Sequence, residues 1–378
     1  MKVLFVIAHL DKGGGQAVQV RQLMERLLPL VDGEFLALTS LPQVEPGTRD
    51  GPSTIVGPLR FPEGLRILRR EIRRRRGKVD LVQAFDPYYA LPAARLAGAS
   101  PLVMRMGAHP VEDFASRYGT PGRWAMRAGA IWLYSGTTVV VNAQHLRSEF
   151  PGRPVEYIPN GVDVDRFPER RDPEGARREL GLPAGVPLAI YTGKVIPRKN
   201  LEDLFRLADR LPSLHVVLVG NFNEPYYGDR YYRELLAGFP NVGTRVRAVG
   251  EVGMASIPRY LEAGDLFVFP SRLEGMPNSV LEALAAGIPV VASRTDAHAE
   301  IIAPDTGRMY RDVDELVGQA TELLADETLR RRLGARARAV VRERFSLEAA
   351  ARAYVELYSA LLAGDRRPGA AQDPRRGA

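Results

Sequence analysis

The chain has 378 residues, 45% of them hydrophobic and 26% charged, enough for two domains of ordinary size and composition. Lysine and arginine outnumber the acids 52 to 45 for a formal net charge of +7, and cysteine is absent, which excludes disulfide staples and thiolate metal sites. No apolar run approaches the roughly eighteen residues that suggest a membrane-spanning helix. The basic balance favours anionic partners: nucleotide phosphates, acidic lipid surfaces or nucleic acid.

Residues 3–8 form a short apolar run. It lacks the longer apolar core and small-residue cleavage site of a signal peptide, and it reads as a first buried strand. Gly13, Gly14 and Gly15 follow. Successive small residues can form a nest of backbone N–H groups for an anion, although they do not make a GxGxxG fingerprint, and a permissive turn explains them equally well. Val18, Val20, Leu23 and Leu27 then mark a helix, and residues 34–39 a second strand. In the arginine-rich stretch 66–78, Leu65, Leu68 and Ile72 recur at helical spacing, which predicts a basic amphipathic helix. Its simplest role is a solvated outer face, and its sharper one is contact with an anionic membrane surface. Nucleic acid fits least, because no aromatic residues interleave with the arginines. Strands at 81–84, 101–106 and 138–142 follow, and residues 157–159 close this half. Alternating strands and helices predict a parallel sheet covered on both faces.

Residues 160–163 form a turn, and the polar stretch 168–178 reads as the interdomain linker. The pattern then restarts, with a strand at 188–191 running into Thr192 and Gly193. Gly193 allows a sharp turn, and Lys194 and Lys199 can both reach a diphosphate beside it; a surface loop with incidental lysines is the plainer reading. A helix over 201–211 and strands at 214–219, 246–249, 266–269, 290–293 and 308–310 predict a second parallel sheet. The Asp-X-Asp triplets at 163–165 and 312–314 read as turn residues and not as metal ligands. A last helix spans 347–362, and the tail beyond 363, rich in Arg, Pro, Gly and Ala, is expected to be disordered.

The most informative stretch is 270–289. It reads as a strand end, a loop carrying Glu274, and a short helix carrying Glu282. Pro277 suits the first turn and Asn278 the cap, Gly287 the stop, and Pro289 follows. Backbone amides near Asn278, Ser279 and Val280 would offer an anion site at the helix start. Carboxylates beside it would accept hydrogen bonds from hydroxyl groups. A ligand with both phosphate and hydroxyls fits, and a solvated surface loop is the alternative.

Seven residues separate Glu274 from Glu282. Pro270 and Ser271 precede them, and Glu-Ala-Leu-Ala-Ala-Gly-Ile-Pro-Val-Val runs on from Glu282. This stretch resembles the signature of the GT-B retaining glycosyltransferases of family 4. Gly193, a basic residue at 194 and Lys199 also match; the family more often has arginine at 194, and lysine lacks its bidentate fork. The resemblance covers most of residues 1–362 and is strongest over 187–300. It implies an α/β fold of two Rossmann-like doubly wound domains facing a cleft. An acceptor-side domain would span 1–165, a nucleotide-sugar-binding domain 166–345, and a crossover helix, 346–362, would pack back on the first domain ahead of a disordered tail, 363–378.

The same resemblance implies a hexosyltransferase-type reaction, the retaining transfer of a sugar from a UDP-, GDP- or ADP-linked donor to an acceptor hydroxyl in glycan, polysaccharide or glycolipid synthesis. Glu282 would hold the ribose hydroxyls, Glu274 would contact the donor sugar, and Gly275, Met276, Pro277, Asn278 and Ser279 would hold sugar and phosphate. Gly193, Lys194 and Lys199 would hold the leaving diphosphate. Gly13 and Gly14 would face the donor, and His109 would touch the sugar or the reacting centre. No metal or other cofactor is expected, since the lysines supply the positive charge. The expected location is cytoplasmic, with peripheral contact at the inner face of an anionic membrane. A sugar-nucleotide epimerase and an inactive nucleotide-sugar-binding protein are the alternatives.

Overall fold

The computed structural model describes residues 1–378 apart from 10–14, 42–43, 51, 108–118, 122–123, 125–128, 223–227 and 365–378. Gly13, Gly14, His109 and nearly all of the tail therefore lie outside the described residues. The chain divides into two units, Met1–Gly161 with Leu347–Ala378, and Val162–Ser346. The chain thus leaves the first unit after Gly161 and returns at Leu347, a few residues from the boundaries expected at 165 and 346.

The first unit carries eight strands: β1 (Lys2–His9), β2 (Asp32–Thr39), β3 (Arg49–Asp50), β4 (Ser53–Pro58), β5 (Leu81–Ala84), β6 (Leu102–Met106), β7 (Thr138–Val141) and β8 (Val155–Tyr157). Their order across the sheet is β3-β4-β2-β1-β5-β6-β7-β8. Every pairing is parallel except β3 with β4. The strand order reverses between β1 and β5. There Asp86 accepts the N–H groups of Ala8 at 2.7 Å and Tyr89 at 2.6 Å, which ties the end of β1 to the start of the Ala90–Leu96 helix. Burial holds the Asp86 carboxyl above its ordinary range despite the N–H groups that favour its charge.

Sequence patterning misses β3, β4 and the Ala90–Leu96 helix. β4 reads Ser-Thr-Ile-Val-Gly-Pro and buries alternate residues only, so its Gly and Pro look like a loop. Pro92 has the same effect on the helix, where its position in the first turn makes it harmless. The basic helix forms over Glu63–Arg75 with Leu68 and Ile72 buried and most arginines outward. The final helix, Leu347–Leu362, belongs to this unit's core. Its Ala350, Ala351, Tyr354 and Tyr358 join Phe5, Phe35 and Phe85. The Tyr358 ring lies 6.4 Å from that of Phe5, and its hydroxyl donates to Gln83 Oε1 at 3.1 Å.

The second unit carries β9 (Leu188–Thr192), β10 (His215–Val219), β11 (Val246–Gly250), β12 (Leu266–Phe269), β13 (Val290–Ser293) and β14 (Gly307–Tyr310). They lie in the order β11-β10-β9-β12-β13-β14 and all run parallel. Numbered within the unit this is the order 3-2-1-4-5-6, whose direction reverses between β9 and β12. In such sheets ligands bind outside the carboxyl ends of the strands at that reversal.

Stretch 168–178 is no linker. Asp172 caps the helix Pro173–Leu180 by accepting the Gly175 N–H at 2.9 Å, and Gly181 ends it with φ +59°. Arg177 is buried against Asp265 at 2.8 Å and donates to the Ala263 carbonyl, which anchors the helix to the second unit. The Asp-X-Asp triplets are local caps. Asp312 accepts the Glu315 N–H at the start of the Val313–Ala325 helix, and Asp163 accepts the Asp165 N–H.

Candidate functional site

The carboxyl ends of β9 and β12 carry most of the predicted residues. After β9 the chain bends at Gly193, whose φ is +146° and whose N–H bonds the Val219 carbonyl at 2.9 Å. A Cβ on Gly193 would meet the Tyr191 hydroxyl at 2.9 Å, and one on Gly220 would sit 1.9 Å from the Gly193 carbonyl oxygen. The two glycines let the ends of β9 and β10 touch backbone to backbone. Lys194 follows, half-buried, with its carbonyl accepting the Tyr191 hydroxyl at 2.8 Å. Lys199 ends the short 3-10 turn Pro197–Lys199, and Asn200 at φ +52° swings the chain into the helix Leu201–Arg210.

Lys199 and Glu274 come together from the two strand ends. The Lys199 ammonium donates to Glu274 Oε1, which also accepts the Ser271 hydroxyl. It lies 5.1 Å from the centre of the Phe269 ring. Both members of the pair are largely buried. Burial lowers the Lys199 ammonium and Glu274 holds it back up in part. Burial alone would raise Glu274, but the adjoining Lys199 charge and the Ser271 hydrogen bond leave its carboxyl below the ordinary range. Glu274 is thus a carboxylate at neutral pH. The sequence reading gave Lys199 to a diphosphate and Glu274 to a sugar; without a ligand the two neutralise each other.

Gly275, Met276 and Pro277 lead from Glu274 to the helix Asn278–Ala286, with Met276 and Pro277 buried. Pro277 occupies the cap and Asn278 the first helical position, one step from the expected roles, and no side chain caps this end. The Val280 N–H folds back on the Pro277 carbonyl at 3.2 Å, so it is not an anion donor. Gly287, at φ +68°, ends the helix as expected.

Glu282 projects from this helix and is mostly buried, with Arg166 Nη1 3.9 Å from its Oε1. Burial pushes its carboxyl up to about 7, and Arg166 offsets this only in part. Arg166 Nη1 is itself buried without a hydrogen-bond partner. A buried carboxyl this weakly compensated is what incoming hydroxyl donors would satisfy. Sequence reasoning missed Arg166. It sits in the Val164–Arg166 turn, and no local pattern links it to a helix more than a hundred residues away. Ser293 and His298, which support the Ser271–Glu274 loop from beyond β13, were missed for the same reason, and Ser271 was read as part of the motif without a role. Among the described residues no three His, Asp or Glu side chains converge as a metal site.

Comparison with known proteins identifies the family. Residues 172–340 match the family model for glycosyl transferases group 1. A GDP-mannose-dependent monoacylated alpha-(1-6)-phosphatidylinositol monomannoside mannosyltransferase of Corynebacterium glutamicum is 30% identical over 68% of this chain and 71% of its own. The GDP-mannose-dependent alpha-(1-6)-phosphatidylinositol monomannoside mannosyltransferase of Mycobacterium tuberculosis is 31% identical over 65% of this chain and 66% of its own. Among solved structures, a sucrose-phosphate synthase from Thermosynechococcus elongatus superposes with a TM-score of 0.79 at 22% identity, covering 96% of this chain and all (100%) of that one. HepE from Anabaena, solved with UDP-glucose, gives 0.76 at 20% identity over 95% and 100%. These are transferases or share the fold of two parallel-sheet α/β domains, and they do not favour the epimerase alternative. The chain belongs to the glycosyl transferases group 1 family and is a glycosyltransferase of the GT-B fold.

Proposed function

We propose that this enzyme transfers a hexose, with retention at the anomeric carbon, from a nucleoside-diphosphate sugar bound on the second unit to a hydroxyl group of a glycolipid or polysaccharide acceptor. The observation that carries the reading is the buried set Lys199, Glu274 and Glu282 at the strand-order reversal between β9 and β12. Glu282 would accept the ribose hydroxyls. Lys199 and Lys194 would exchange their present partners for the diphosphate, and Glu274, relieved of Lys199, would accept a hydroxyl of the donor sugar. The acceptor oxygen bonds to the anomeric carbon as the bond to the phosphate oxygen breaks. The acceptor proton passes to the departing diphosphate. Negative charge grows on that leaving oxygen, so fixed ammonium groups stabilise the transition state more than the bound donor. No metal is required in this scheme. The relatives from Corynebacterium and Mycobacterium support GDP-mannose as the first donor to try and a phosphatidylinositol mannoside as the first acceptor.

The test is a thermal-shift and turnover panel of GDP-, UDP- and ADP-sugars with and without EDTA. Binding to the native state raises the melting temperature by mass action. A shift and a transferred hexose for one nucleotide, both unchanged by EDTA, support the reading. A signal that EDTA abolishes overturns the metal-free scheme, and no shift with any nucleotide overturns the site.

The acceptor side of the reading includes contact with an anionic membrane. Arg66, Arg69, Arg70, Arg73 and Arg74 are exposed on the Glu63–Arg75 helix. Arg69 donates to the Leu96 carbonyl, and the Arg95 guanidinium lies 5.7 Å from the ring centre of Trp132. Leu96, Ile131 and Trp132 are exposed there, which adds apolar anchors to the cationic face. No described helix is long and apolar enough to cross a membrane. Sedimentation with phosphatidylglycerol vesicles should capture the protein at low salt and release it at high salt. Equal binding to phosphatidylcholine vesicles would contradict this contact.

A further inference from the structure

His298 is wholly buried in the short helix Asp296–Ala299 that follows β13. Its Nδ1 lies 2.6 Å from the Ser293 carbonyl oxygen. A carbonyl only accepts, so Nδ1 carries the proton and donates. The Ser293 hydroxyl donates in turn to the Ser271 carbonyl at 2.5 Å. The Ser271 hydroxyl donates to Glu274 Oε1, the oxygen that also takes the Lys199 ammonium. A second, apolar route runs beside this one. The His298 ring stands edge-on to Phe269, with centroids 5.6 Å apart at 78°, and Phe269 carries the Lys199 ammonium 5.1 Å from its ring centre. The same imidazole thus braces both members of the Lys199–Glu274 pair. Its Nε2 is buried with no partner, a cost that a purely structural apolar residue would avoid.

We propose that His298 is a positioning residue for the donor sugar: through Ser293 and Ser271 it fixes the loop that aims Glu274. The proposal rests on the assignment of Glu274 to that sugar. A bent hydrogen-bond chain holds a carboxylate in place only while each link is made, and a shift of about 1 Å at a reacting group can cost about a hundredfold in rate. The chain ends on Glu274, assigned to the sugar, and not on Glu282, so its loss should be felt most when a sugar is attached to the nucleotide.

Three variants separate positioning from bulk packing. His298→Phe keeps a ring against Phe269 and removes the donor, His298→Asn restores an N–H near the Nδ1 position, and Ser293→Ala cuts the next link. Affinities are measured by calorimetry for GDP and GDP-mannose, or UDP and UDP-glucose if guanine nucleotides do not bind, alongside turnover. We expect His298→Phe and Ser293→Ala to lose roughly 10- to 100-fold in kcat/KM. The advantage of the nucleotide sugar over its nucleoside diphosphate should shrink, while the diphosphate alone binds as in the wild type. His298→Asn should recover most of the loss, and His298→Phe combined with Ser293→Ala should be no worse than the more impaired of the two single variants. Wild-type sugar affinity and turnover in Ser293→Ala would overturn the proposal. So would an equal loss of bare diphosphate binding in His298→Phe and His298→Asn, which would indicate general packing. If His298→Phe does not fold, Ser293→Ala and His298→Asn decide. Unchanged turnover in Glu274→Gln would instead overturn the donor-site reading beneath it.

Discussion

At the scale of single residues, Glu282 and the Lys199–Glu274 pair make opposite pH predictions. The Glu282 carboxyl is raised in the folded, ligand-free protein to about 7 from an ordinary 4.5. The folded state therefore holds this proton more tightly than the unfolded chain does, and stability should fall as pH rises from about 4.5 to about 7. Each pKa unit is worth about 1.4 kcal/mol, so the loss is on the order of 3 kcal/mol. Melting scans of the free protein across that window should show the decline, and Glu282→Gln should flatten it; identical slopes in both would contradict the burial of a protonated Glu282. Glu274 is lowered, so its contribution is present above the ordinary carboxylate range and is lost as pH falls through its folded value. Replacing Lys199 with Ala strands a buried carboxylate, an error that typically costs about 3–5 kcal/mol. Lys199→Ala should thus lower the melting temperature as well as cutting turnover by about a hundredfold or more. Glu274→Ala should also lose turnover by orders of magnitude. Near-normal rates in either variant, measured below its melting temperature, would break the assignment of that residue.

At the scale of elements, the helix Asn278–Ala286 is held by a contact that no sequence pattern announces. Its end at Gly287 lies against the helix Glu327–Arg344, where a Cβ on Gly334 would stand 2.1 Å from the Gly287 carbonyl oxygen. Arg338 from the same helix donates to the Ala285 carbonyl at 2.8 Å, satisfying the end of a helix that carries Glu282. Gly334→Ala should push the two helices apart, with a cost of roughly 1–3 kcal/mol and a weaker nucleotide affinity. A variant with wild-type stability and affinity would show that the helix is held otherwise. Uniformly buried strands such as β9 and β12, and helix stops such as Gly287, were legible because apolar runs and left-handed glycines leave local marks. β4 was not, because four of its six residues are polar, Gly or Pro. The linker reading of 168–178 failed for a related reason: its many charges look solvated, yet Arg177 is buried by a partner, Asp265, nearly ninety residues away. The two glutamates and two lysines of the site lie within named motifs. Arg166, Ser293 and His298 reach the site only through contacts with other elements.

At the scale of the whole molecule, the C-terminal helix makes the first unit dependent on the far end of the chain. Tyr354 and Tyr358 are buried among residues of β1, β2 and β5, and each buried large side chain contributes about 1.5–3 kcal/mol. Ending the chain at Ser346 should therefore unfold the first unit, seen as protease sensitivity of residues 1–161, and leave the second unit able to bind nucleotide. A truncated chain whose first unit resists protease would contradict that dependence. The central claim, a donor site on the second unit built around Glu282 and Lys199, is tested most directly by calorimetric titration of nucleoside diphosphates into the wild type and Glu282→Gln. One diphosphate should bind the wild type, release a proton below about pH 7 as the carboxyl ionises, and bind the variant roughly tenfold or more weakly, as expected for losing hydrogen bonds to a charged group. Equal affinity in the two proteins, or no binding by the wild type, would contradict it.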